Sequence, residues 1–425
     1  SVGGVPLTHL ARLNVNGTLD TSFAATLNST VLALAIQPDR RILVVGEFTT
    51  VNGVARNYLA RLLPDGALDT TFNPAPDNSV IALALQPDGK ILTLGTFTRM
   101  GGRDGWGIAR LHADGTADPT FRGVASGPYL RGLALQSDGK ILVYGGWMAL
   151  HAVACDGIGR LMPDGLMDPE FQNGIISSAT EVQTVLPQTD GRIWVGGSFT
   201  SLRGKTTHNL ARLSPDGEVE LAAAPGAILV GGGTTTVLAL HLSPGGRLLV
   251  AGSFDRLCGS TVLNAGWLGL GLPGEDGLDR FPSAATWRLS GAAPEYMRVD
   301  FDHTHDGSVY TSLGPGQRGA GGWHFTGAIP GGGVLRARGH LPCGYGGRSQ
   351  GVVDQFSGEP LPAVCPEGVE LDAGKTLRLS ALAVGTPPLA YQWRKNGIPL
   401  ADAGPVSGAT RQVLTITGVL HADAG

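Results

Sequence analysis

An all-β fold is what this 425-residue sequence predicts, on three observations. A block of roughly 50 residues, the length of a propeller or array unit, recurs down the chain. Its clearest mark is Ala11-Arg12-Leu13, which returns as Ala60-Arg61-Leu62, Ala109-Arg110-Leu111, Gly159-Arg160-Leu161 and Ala211-Arg212-Leu213, with arginines 49, 49, 50 and 52 positions apart. Hydrophobic runs in each block are interrupted at fixed places by Asn-Gly or Asp-Gly, a strong hairpin signal. No segment carries a helical period. One such block cannot bury a core alone, so neighbouring blocks must pack against each other.

Residues 57–97 serve as the specimen block. Tyr58 to Leu62 reads as a strand closed by a turn at Pro64-Asp65-Gly66, and a short Leu68-Asp69-Thr70-Thr71-Phe72 segment follows. Val80 to Gln86 alternates toward a second turn, Pro87-Asp88-Gly89, and Lys90 to Leu94 returns to Gly95-Thr96-Phe97. Three to four strands per block suit one propeller blade. Both residues of an Asp-Gly turn can adopt positive φ, which suits a hairpin. First turns recur at Asn16-Gly17, Asp114-Gly115, Asp164-Gly165, Asp216-Gly217 and Asp276-Gly277, and second turns at Asp138-Gly139, Asp190-Gly191, Gly245-Gly246 and Asp306-Gly307. The aromatic closers are Phe48, Phe97, Trp147, Phe199 and Phe254. Six repeats are visible, the sixth decayed, with a vestige of a seventh near Trp323-His324-Phe325.

Composition agrees. Sixty-six Gly and 27 Pro beside 16% charged residues suit many short strands joined by turns. A net charge of −4 gives no electrostatic case for nucleic acid. No apolar run approaches the ~18 residues of a membrane span. Ser1 to Leu10 aligns with Thr50 to Leu59, so the chain is expected to begin inside a repeat, as a fragment. Cys155, Cys258, Cys343 and Cys365 lack metal or thiol-exchange spacing. They read as small buried or loop residues, or, for Cys343 and Cys365, as a disulfide of an extracellular tail.

Each repeat arginine is followed eight residues later by an acid: Asp20, Asp69, Asp118, Asp168 and Glu220. The hairpin between them should bring the charges together, because a charge among apolar strand residues needs a partner. A salt bridge is expected in each of these five repeats. In the sixth, Asp279 remains but Gly271 stands where the arginine belongs, so that pair is expected to be broken.

The linked motifs Leu-Ala-Arg-Leu, Pro-Asp-Gly, Leu-Asp-Thr-Thr-Phe, Leu-Gln-Pro-Asp-Gly-Lys-Ile-Leu and Gly-Thr-Phe resemble the delta-60 repeat family over about residues 1–313. That resemblance implies a β-propeller from large secreted or surface-exposed bacterial proteins, with no catalytic residues attached. In the tail, Leu377 to Ala381, Tyr391 to Gly397 and Leu414 to Ile416 look like an immunoglobulin-like domain. The likeness makes Trp393 the core tryptophan, and Ala381 stands where the first disulfide cysteine is usual. The expected fold is therefore a propeller of six to seven four-stranded blades plus a partial immunoglobulin-like sandwich. Its parts are a propeller over 1–345, a Gly/Pro-rich linker over 346–366 and a truncated immunoglobulin-like domain over 367–425.

Candidate chemistry is sparse. Gly269-Leu270-Gly271-Leu272-Pro273-Gly274 matches the dinucleotide fingerprint in letters, but Pro273 and the Asp276-Gly277 turn replace the required helix. Asp300, Asp302, His303, His305 and Asp306 form the densest set of metal-ligand types, and His303 and His305 would share one strand face. Decay of a repeat explains that cluster equally well. No nucleophile elbow exists. Most aspartates are turn formers, so their number gives no case for paired glycosidase carboxylates.

Loops between blades carry Arg99, Arg103, Asp104, His151, Arg203, Lys205, His208 and Arg256. They read as solvated charge or as a rim for acidic glycans. No catalytic, cofactor or metal residue is assigned, and no cofactor is expected. The sequence points to a non-enzymatic extracellular or cell-surface scaffold for adhesion, recognition or display, with a protein or glycan ligand on a loop face. The alternative is a polysaccharide-binding or polysaccharide-processing enzyme with its site in the propeller funnel.

Overall fold

The computed structural model describes residues 9–14, 17–171, 181–220, 236–242, 247–254, 256–257, 260–261, 264–269, 276–289, 296, 298–319, 321–340, 352–364, 373–386, 389–396 and 398–420. All regular secondary structure among them is strand. The chain divides into two compact units, one of residues 1–276, 289–298 and 339–353, the other of 277–288, 299–338 and 354–425.

Among the described residues the first unit holds five antiparallel sheets of three or four strands, each made by one stretch of the repeat. Val31–Ile36, Ile42–Gly46 and Leu59–Leu62 form the first; Val80–Leu85, Ile91–Gly95 and Ile108–Leu111 the second. The third is built on Leu130–Leu135, Ile141–Leu150 and Val153–Leu161. Glu181–Pro187, Ile193–Ser198 and Leu210–Leu213 form the fourth, and Thr236–Leu242, Arg247–Ser253 and Ala265–Gly269 the fifth. Leading strands of consecutive sheets lie against each other from the first sheet to the fifth. Arg298 Nη1 donates to the Ile36 carbonyl at 3.2 Å, across 262 residues of the same unit. Both faces of each middle sheet are covered, so Val80–Leu85 and Ile91–Gly95 are buried at every position. Val80–Leu85 therefore does not alternate but is apolar throughout.

The fourth strand expected in each blade is reduced to a bridge. Leu62 pairs with Leu68, Leu111 with Ala117, Leu161 with Met167 and Leu213 with Val219, each as a lone antiparallel step. Between second and third strands, four of the five sheets carry a two-residue ribbon, such as Thr50–Val51 with Val54–Ala55 and Arg99–Met100 with Arg103–Asp104. In the third sheet the ribbon merges into the long strands, and Ala125–Ser126 pairs alongside it.

Two expectations need correction. Asp276-Gly277 opens the strand Asp276–Phe281 instead of a turn, and in the other described Asp-Gly turns only the glycine takes positive φ, as at Gly66 (+89°), Gly115 (+91°) and Gly165 (+91°). Leu63 N donates to Ala67 O and Gly66 N to Leu63 O, which makes a type I turn followed by one left-handed residue. Proline at the first turn position then fits, since its fixed φ suits type I. The second correction concerns Trp147. Phe48, Phe97, Phe199 and Phe254 are buried, but Trp147 is 69% exposed. A register shift between Tyr144 and Trp147 turns that side chain outward and puts Met148 in the core.

The glycine before each closer has a steric cause. The leading strand bulges after its first or second residue, and a Cβ on Gly46, Gly95, Gly145, Gly197 or Gly252 would meet a backbone carbonyl oxygen at 2.0–2.1 Å.

Beyond the fifth sheet the pattern changes. Asp276–Phe281, Ala284–Leu289, Gly322–Thr326 and Gln317–Gly319 make one four-stranded sheet, with Trp287 opposite Trp323 and both buried. Thr311–Pro315, Arg298–Thr304, Val334–His340 and Val352–Ser357 make another. The stretch read as a linker thus holds strands Val352–Ser357 and Leu361–Val364. Toward the C-terminus, Leu377–Ser380 pairs with Val413–Ile416, which pairs with Val406–Ser407. Trp393 packs on Leu414, Ile416 and Val419 and donates through Nε1 to the Arg411 carbonyl at 2.8 Å.

Candidate functional site

All five expected salt bridges form: Arg12–Asp20 at 2.7 Å, Arg61–Asp69 at 2.8 Å, Arg110–Asp118 at 2.9 Å, Arg160–Asp168 at 2.7 Å and Arg212–Glu220 at 2.7 Å. In the first four of these repeats the bond is one arm of a larger clamp. The guanidinium lies over an aromatic ring eleven residues on, with Arg61 4.4 Å from the Phe72 centroid, Arg110 5.0 Å from Phe121 and Arg160 4.4 Å from Phe171. Its Nη1 reaches the following repeat, where Arg61 donates to the Ala113 carbonyl at 2.5 Å, Arg110 to Pro163 at 2.6 Å and Arg160 to Pro215 at 2.5 Å. Arg12 binds Pro64 in the same way. One arginine therefore ties its own hairpin to the next repeat's turn.

The acid is held from a second side. A base 28 residues before it approaches the same carboxylate: Arg41 to Asp69 at 3.6 Å, Lys90 to Asp118 at 3.2 Å, Lys140 to Asp168 at 3.1 Å and Arg192 to Glu220 at 2.9 Å. Burial alone would raise the carboxyl pKa of Asp69, Asp118 and Asp168. The amide of the second residue on, joined at Asp69 and Asp118 by the Thr71 and Thr120 hydroxyls, outweighs it with the flanking cations and holds all three below the ordinary value. Such carboxylates stay ionised and accept hydrogen bonds, so they are poorly placed to move protons.

The sixth-repeat expectation is corrected by register. Trp267 pairs with Leu249 as Arg61 pairs with Leu43 and Arg110 with Leu92, so Trp267 occupies the arginine position and Gly271 does not. Arg247 covers the Trp267 ring at 5.2 Å. Asp279 keeps a partner by another route, bonding Arg288 at 2.7 Å.

His303 and His305 do come together, their rings 4.5 Å apart. His303 is buried, its pKa lowered by desolvation, and its Nε2 is bonded to the Gly332 carbonyl at 2.9 Å. Asp302 binds Arg336 at 2.6 Å, and Asp306 caps its own turn through Ser308 and Val309 amides. No group of three metal-ligand types converges among the described residues. Of the dinucleotide-like hexapeptide only Gly269 is described, and it ends a strand; Cys258, Cys343 and Cys365 also lie outside the described residues.

The loop residues divide by environment. Arg203 is buried over Phe171 at 4.6 Å, on the ring that Arg160 also covers. His151 Nε2 meets the Gly165 carbonyl at 2.8 Å. Arg99, Arg103 and Asp104 are exposed, with Arg99 3.5 Å from Asp104. His208 is half-buried and Lys205 exposed, while nothing is described of the Arg256 side chain.

Two surface depressions stand beside exposed tryptophans. A cleft of about 180 Å³ opens in the second repeat between Met100–Trp106 and Ala117–Val124, and Trp106 is 59% exposed at its edge. A more apolar depression of about 360 Å³ lies on the third sheet, lined by Trp147, Pro128, Ala149 and Ala154.

One family match fits this architecture. Residues 1–23, 37–72, 86–121, 136–171 and 188–221 match the family described as "Domain of unknown function (DUF5122) beta-propeller". The repeats are β-propeller repeats. Solved structures resembling the chain include a streptogramin B lyase (18% identity, 56% of this chain and 71% of that one, TM-score 0.31). A Bacteroides caccae protein of unknown function shares 14% identity over 63% of this chain and 89% of its own, with TM-score 0.34. PorZ, a surface component of the type-IX secretion system of Porphyromonas gingivalis, shares 13% over 80% and 48%, with TM-score 0.37. No curated protein matches the chain. No helix among the described residues is long and apolar enough to cross a membrane.

In the propeller the matched segments carry the clamp residues, while the two tryptophan-edged depressions belong to single blades. Sequence reasoning found the arginine and acid, and missed the base 28 residues earlier and the aromatic ring eleven later. Both recur in register and were available to a count of spacings.

Proposed function

We propose that this protein is a non-enzymatic binding scaffold, exported or displayed at the cell surface, whose propeller presents ligand sites on individual blades and continues into an immunoglobulin-like module. The observation that carries this reading is the division of labour among side chains. The repeated carboxylates are committed to arginine and lysine partners that hold blades together, and the features that differ between blades are exposed tryptophans beside clefts. Aromatic faces at a surface suit recognition, since they bring large contact area with little ordering cost. The packing of Trp393 on Leu414 and Ile416 supports the immunoglobulin-like reading of the tail.

A glycan and protein array probed with the whole chain tests the proposal, with product release from each polysaccharide measured in parallel. Saturable binding without turnover is the expected outcome. Turnover that one carboxylate substitution abolishes would establish instead a polysaccharide-processing enzyme.

A further inference from the structure

The second-repeat cleft is lined by a glycine at a position where three other blades carry side chains. Arg56, Gly105 and Thr207 occupy the same place in three blades: their amides donate to the carbonyls of Thr49, Thr98 and Thr200. Cys155 holds the corresponding position in the third blade, paired with Met148. In the first blade Arg56 carries a half-buried side chain there that bonds the Thr70 carbonyl through Nη2 at 3.2 Å. Thr207 and Cys155 are buried, Thr207 bonding the Leu210 carbonyl at 3.0 Å. Only Gly105 has no side chain to offer. A Cβ there would make ordinary contacts, 3.7 Å from Ala109 Cβ and 3.9 Å from the Ile108 carbonyl, so the backbone does not demand glycine.

What the missing side chain uncovers has a definite chemistry. The floor of the cleft is the Arg110–Asp118 pair, and its edges carry Trp106, Arg103 and Arg122. Both edge arginines are exposed, and among the described residues neither guanidinium is spent on a carboxylate. Asp104, also at the edge, has Arg99 beside it. At about 180 Å³ the space is below the ~300–1,000 Å³ of drug-sized pockets and suits a single ring. Two guanidiniums favour a planar carboxylate, and an indole face favours the C–H face of a pyranose.

We infer that this cleft binds one uronate ring of an acidic polysaccharide, with Arg103 and Arg122 on the carboxylate and Trp106 stacked on the sugar. This rests on the reading of the propeller as a binding scaffold and assigns that scaffold a site and a ligand class. An acidic peptide would satisfy the arginines but leave the indole without a ring to stack on.

Titration calorimetry of the whole chain with hexagalacturonate tests the inference. Binding should weaken as salt rises from about 50 to about 500 mM. Gly105→Thr, which borrows the fourth blade's side chain, and Trp106→Ala should each weaken it by about tenfold or more, with an unchanged urea midpoint showing that the fold is intact. Cellohexaose, of the same length without carboxylates, should bind at least about tenfold less tightly. Polyglutamate binding as tightly as hexagalacturonate would overturn the inference, and so would full affinity in Gly105→Thr. Glycan binding that survives Gly105→Thr but is lost in Trp147→Ala would overturn this site while keeping the scaffold reading. No binding to any glycan or protein would overturn both.

Discussion

Arg160 and Arg12 hold the same place in their repeats and make the same three contacts, to an acid, a ring and the next repeat's turn. Their surroundings differ. The Arg160 and Asp168 side chains are 4% and 1% exposed, those of Arg12 and Asp20 38% and 18%. The same geometry therefore lies in two dielectrics, and what it contributes should follow burial rather than bond length. Removing one partner of a buried pair strands a charge out of water, whereas an exposed pair exchanges its partner for solvent.

Arg160→Ala should give the largest loss, about 3–5 kcal/mol, because Asp168 stays buried without its arginine. The urea midpoint followed by circular dichroism reads it, and a loss no greater than that of Arg12→Ala would break the comparison. Acid should act in the same direction. Asp69, Asp118 and Asp168 have folded pKa values below their unfolded ones, near ~3.9. Their contribution is complete above the unfolded value and is lost as pH falls through the folded ones. Stability at pH 3 should therefore lie below that at pH 6, and Asp168→Asn should flatten the slope. A smaller effect is expected of Lys140→Gln, roughly 1 kcal/mol, since the carboxylate keeps its arginine and its Glu170 amide. Arg12→Ala should move the midpoint least, within the error of the measurement. A shift matching that of Lys140→Gln would show that exposure does not set the scale.

The arginine and acid were legible from the chain because a fixed hairpin separates them, and the all-β fold because the turns recur at fixed offsets. The blade's fourth strand was not, since a segment such as Leu68 to Phe72 spends its backbone on the Asp69 turn and keeps one bridge. Trp147 sits in line with buried phenylalanines, and a shift of register that no spacing reveals turns it outward. Trp267 was missed for a related reason: strand pairing, not distance from the previous arginine, fixes which residue faces the clamp. The second-repeat cleft is a subtraction. Gly105 reads as one more loop glycine until its counterparts Arg56, Cys155 and Thr207 are seen to carry side chains at the same position.

The most direct test of the claim that the repeated charges serve the scaffold is a double-mutant cycle on Arg160→Ala and Asp168→Ala, read from urea unfolding. The account predicts strong coupling, on the order of 2–3 kcal/mol, with the double variant more stable than the sum of the single losses implies. Losses that simply add would contradict it.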